Sequence, residues 1–170
     1  FIYLSTVSFF LKDVFQVPTE YFGLAFAMTV IGFVIGSLLS SRLVMRWGQD
    51  KTLHRGTFVC LGANALVLFL TLYLPSSTVG FAILSILFFF GIGLISANAS
   101  MGAVSLYPHK AGAASAVYGC VHSLSSATVG AVAGLLYAGR LLEPVALMLL
   151  CSVGALLGSA LIHRFRHHTA

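Results

Sequence analysis

Charge is what this sequence has least of. Only 8% of its 170 residues are charged, and only four are acids. Against them stand 59% hydrophobic residues, more apolar surface than a soluble domain of this length can bury. The middles of the apolar runs hold no Asp, Glu, Lys or Arg. That absence removes the acid pairs and activated nucleophiles of an intramembrane enzyme, so no catalytic role is expected. Cysteine is scarce and odd in number, and Cys60, Cys120 and Cys151 all fall inside apolar runs, where packing explains them better than a disulfide framework. His163, His167 and His168 sit on a basic tail and read as solvated or headgroup-facing rather than as metal ligands. Neither a metal nor a cofactor is expected. A repeated filter loop and a ring of charge are also lacking, which weakens a passive channel as the alternative function. There is no basic leader before an apolar core, and Phe1 already lies within an apolar run, so the sequence reads as the C-terminal part of a longer protein.

What remains is a series of six apolar runs, at about 1–15, 22–44, 56–74, 79–107, 112–138 and 144–162. A run of roughly 20 such residues crosses a bilayer as a helix. The expected fold is all-α: one polytopic membrane bundle over 1–170. Sorting the basic residues by alternate connections tests the count. Arg42, Arg46, Lys51, Arg55, Lys110, Arg164 and Arg166 fall on one side, and only Lys12 and Arg140 on the other. The positive-inside rule puts the crowded side, with the C-terminus, in the cytoplasm. The basic residues are shared among juxtamembrane segments, so the net charge of +5 speaks for lipid headgroups and topology rather than nucleic acid.

Small residues mark where helices approach. Gly32, Gly36 and Ser40 make a small-xxx-small stripe in the second run, and Ser115, Gly119 and Ser123 make one in the fifth. The fifth run, AGAASAVYGCVHSLSSATVGAVAG, is the most informative. Beside its stripe lies an arc of Ser115, Tyr118, His122, Ser125 and Ser126, within about 100° of one another on a helix. Val117, Cys120, Val121 and Leu124 face the other way. A helix with a lipid side, a packing side and a polar aromatic side reads as cavity-lining. Asn98, alone in mid-span, must either bond across helices or face a wet cavity. Asn64 reads as a bond between helices.

Six runs divide into three plus three with a glycine-rich middle helix in each triplet, the pattern of two inverted repeats. The sequence resembles helices seven to twelve, the C-terminal half, of a major facilitator superfamily transporter. Within that superfamily it is most similar to the bicyclomycin/chloramphenicol-resistance branch of drug:proton antiporters. FIYLSTVSFFLKDVFQVPTEYFGLAFA, GSLLSSRLVMRWG and PHKAGAASAVYGCVHS carry the likeness. The middle stretch is a worn copy of the cytoplasmic loop motif, of which Arg42, Arg46 and Gly48 remain. The departures are Val7-Ser8-Phe9 in place of Ser-Pro-Phe, Ser40 and Ser41 near the motif's acid, and His122 in place of Gln. The resemblance implies alternating-access efflux of small amphipathic drugs or metabolites in exchange for protons, in a bacterial inner membrane. It implies a missing N-terminal half that shares the cavity and carries the coupling acid. It also implies that the first, second, fourth and fifth helices line that cavity. Candidate lining residues are Tyr3, Ser5, Ser8, Phe9, Met28, Asn98, Met101, Tyr118 and His122, each with interhelical packing as its plainer reading. The alternatives to a transporter are a passive channel and a membrane scaffold subunit.

Overall fold

The computed structural model describes residues 2–73, 78–105, 107–136 and 142–168. Pro75 and Arg140, with the connections around them, lie outside those residues, as do the expected ends of several spans. Among the described residues six helices follow one another: α1 (Ile2–Phe9), α2 (Phe22–Trp47), α3 (Gln49–Tyr73), α4 (Thr78–Ser105), α5 (Ala111–Leu136) and α6 (Leu142–His168). The last five are long and apolar enough to cross a membrane. α1 passes into a π turn over Phe10–Val14, and together these 13 residues rise about 20 Å, less than a bilayer core. Pro18, Pro108 and Pro144 each stand at the entrance to a helix, where a missing N–H costs nothing.

The expected boundary between the second and third runs is corrected. The stretch RLVMRWGQDKTLHR is not a loop: α2 runs to Trp47, α3 starts at Gln49, and only Gly48 separates them. Gly48 takes φ +81°, a conformation that suits glycine alone, and its N–H bonds Val44 O at 2.9 Å. Arg and Lys are good helix formers, so charge marks where lipid ends and not where the helix does. α4 is continuous through Gly91, Gly93 and Gly102. Gly91 turns to α3, where an added Cβ would lie 3.1 Å from Cys60 N, and Gly93 turns to α2, 2.8 Å from Ser37 N.

Glycine contacts also set the register. Gly32 meets the Ile86 carbonyl, Gly36 that of Phe90, and Ser40 donates to Leu94 O at 3.2 Å. Each step along α2 is matched by an equal step forward along α4, so these helices run parallel. α3 runs antiparallel to α6: Asn64 Nδ2 donates to Ser152 Oγ at 2.6 Å, while ten residues earlier His54 Nδ1 pairs with Ser159 Oγ at 3.0 Å. The corner at Gly48, the end of α4 and the end of α6 therefore share one end of the bundle. The apolar core lies toward the other, where Tyr3, Val7, Val67, Phe81, Ala133, Val145 and Met148 cluster.

Candidate functional site

Tyr3 belongs to that core and not to a cavity. Only 5% exposed, its ring stacks on Phe81 (centroids 6.3 Å) and meets the edge of Phe89 (5.0 Å). Ser5, Ser8 and Phe9 are exposed on the opposite side of α1. A helix separates Tyr3 from Ser5 by about 200°, so the two could not share a face.

Asn98 is likewise withdrawn from any cavity, at 5% exposure. Its Nδ2 donates to Ser40 Oγ at 2.8 Å and to Leu94 O at 2.6 Å. Its own carbonyl receives Gln49 Nε2 at 2.6 Å. Here α2, the first turn of α3 and α4 are tied by one polar cluster. Of the two roles open to this amide, the bond across helices is the one it takes. Asn64 does the same between α3 and α6, although its Oδ1 is buried with no hydrogen-bond partner.

Met28 and Met101 are both exposed, but the parallel register sets Met28 level with Ala82. At 1.5 Å per residue, Met101 then stands about 28 Å further along. They cannot touch one small molecule together.

α5 carries the exposed polar surface. Its last third is seated through Gly130 and Ala133, both buried, against neighbours that include α1, α4 and α6. The earlier turns stand clear, with Ser115, His122, Ser123 and Ser125 exposed and Tyr118 and Ser126 half-buried. The Tyr118 and His122 rings stack at 5.9 Å with 24° between their planes. A Cβ added at Gly119 would meet nothing within 4 Å. The expectation that Ser115, Gly119 and Ser123 seat a neighbouring helix is thus not met among the described residues. Gly32 and Gly36 do lie against a backbone, that of α4.

At the other candidate position, Arg42 and Arg46 are exposed on the last turns of α2, and Gly48 forms the corner itself. Sequence reasoning missed Gln49 and Trp47. Nothing in a lone Gln or Trp signals a reach to another helix, and both partners depend on the glycine corner.

The Major Facilitator Superfamily sequence model matches residues 1–131. A bicyclomycin resistance protein homolog of Haemophilus influenzae is 29% identical over 97% of this chain and 40% of its own length. A chloramphenicol resistance protein of Pseudomonas aeruginosa is 28% identical over 85% of this chain and 35% of its own length. This chain therefore spans well under half of either relative. No solved structure is a significant match. With a six-helix bundle and a family model that covers most of its length, the chain belongs to the Major Facilitator Superfamily, a superfamily of membrane transporters.

Proposed function

We propose that this chain is the C-terminal half of a secondary transporter that exports small amphipathic molecules by alternating access in exchange for protons. The substrate is held between this bundle and an N-terminal half. The uncovered turns of α5 carry the reading: serines and an imidazole stand exposed on a membrane helix whose charged residues are nil. Lipid is a poor neighbour for such a face, whereas a wet cavity or a second bundle suits it. The names of the two relatives, resistance proteins for bicyclomycin and chloramphenicol, support export of drug-like molecules. The described mid-span residues hold no acid, so the coupling group is assigned to the other half. The membrane is the bacterial inner membrane, with the Gly48 corner and the C-terminus in the cytoplasm.

In this reading Ser5, Ser8, Phe9, Tyr118 and His122 line this half's share of the cavity, and Ser115, Gly119 and Ser123 meet the other half. Where the branch has Gln, His122 offers hydrogen bonds. In the intact protein, His122→Gln should retain proton-driven efflux, and His122→Leu should weaken substrate affinity about five-fold, one hydrogen bond's worth. The test is flux in proteoliposomes with and without an imposed proton gradient. Substrate-specific flux that ignores the gradient would instead identify a passive channel.

A further inference from the structure

Two cation pairs flank the glycine corner. Arg42 and Arg46 lie one turn apart on α2, and Lys51 and Arg55 one turn apart on α3. All four are exposed, and Asp50 is the single acid among them. Arg42, Arg46 and Lys51 form no ion pair with any described residue. Arg55 lies flat over Trp47, its guanidinium carbon 3.8 Å from the ring centroid. Stacking uses the face of a guanidinium and leaves its in-plane N–H donors available for a planar or tetrahedral oxyanion. Like charges held this close repel unless an anion joins them.

The same corner exposes apolar surface. Met45 is 83% exposed and Trp47 40%. A dissolved anion would neutralise the cations but has no use for that surface. A phospholipid uses both, and indole rings favour the headgroup level of a bilayer. We propose that the α2–α3 corner is a binding site for an anionic phospholipid. Its phosphate engages Arg55 and the neighbouring cations, and its upper acyl region lies against Trp47 and Met45.

The test is direct and independent of transport. The intact protein in neutral detergent is titrated with phosphatidylglycerol or phosphatidylcholine, with bound lipid counted by native mass spectrometry and thermal stability followed in parallel. Phosphatidylglycerol should be retained preferentially and should raise Tm. Lys51→Gln/Arg55→Gln should lower its apparent affinity about five-fold per cation removed. Trp47→Ala should also weaken it, and Lys12→Gln, at the other end of the bundle, should not. If the first double variant misfolds, Arg42→Gln/Arg46→Gln carries the same comparison, since those side chains hold nothing in place. Equal retention of the two lipids, unchanged affinity in the folded double variant, or equal binding of inorganic phosphate would each overturn the proposal.

Discussion

Asn98 holds three elements at one point: Ser40 on α2, Leu94 on its own helix, and Gln49 at the start of α3. Hydrogen bonds between membrane helices are worth about 0.6 kcal/mol on average and at most about 1.7. Asn98→Ala removes the donor to Ser40 and leaves Gln49 bonded to the backbone carbonyl. Its expected cost is about 1–2 kcal/mol, read as a lower Tm of the intact protein in detergent. Substrate affinity should change less than two-fold, because the side chain faces inward. A large affinity loss at unchanged stability would return Asn98 to the cavity. The sequence made this residue's polarity plain and left both of its roles open. What decided between them was the offset between α2 and α4, which no property of Asn98 itself encodes. Tyr3 was more legible, since helical spacing alone separates it from Ser5, Ser8 and Phe9.

A second layer of information lies in the elements. Hydropathy located the helices well, because apolar runs and spanning helices are nearly the same thing. It placed their ends poorly, because the α2–α3 junction continues as helix through four cations to a single glycine. Small-residue stripes were visible in α2 and α5 alike, but only the α2 stripe has a backbone against it. A stripe permits close approach; it does not supply the helix that approaches. Gly36→Ala should therefore cost about 1–3 kcal/mol, since a methyl would press on the Phe90 carbonyl between two stiff helices. Gly62→Ala, on the open side of α3, should be neutral or gain up to about 1 kcal/mol from helix propensity. Melting curves of the two variants in one detergent give the comparison, and similar losses in both would mean that the α2–α4 contact is looser than its register implies.

Across the molecule, helix pairings repeat. Replacing α1 by α4, α2 by α5 and α3 by α6 turns the α2–α4 pair into α5–α1, α3–α4 into α6–α1, and α2–α3 into α5–α6. All of these are observed contacts, and α3–α6 maps onto itself; α4–α5 alone among the substantial described contacts lacks a comparable counterpart, in α1–α2. Inverted three-helix repeats produce this relation. The same geometry bears on sidedness. α2 and α4 are parallel and α3 is antiparallel to α6, so Arg42, Arg46, Lys51, Arg55 and Lys110 gather at the end where α6 finishes. The α1–α2 connection, with Lys12, Asp13 and Glu20, lies at the opposite end, as does Glu143 at the start of α6. The charge imbalance read along the chain is thus an imbalance between two faces in space, which is what orients a membrane protein during insertion. Lys51 and Thr19 are exposed reporters of those faces. Thr52 is unsuitable, being buried and bonded to Gly48 O at 2.8 Å. In the intact protein freed of its native cysteines, Lys51→Cys should react with an impermeant maleimide only after the cells are opened. Thr19→Cys should react in intact cells whose outer barrier has been permeabilised. The reverse pattern would invert the assigned orientation. Reaction of both from one side would place the two connections on the same face and break the span count between them.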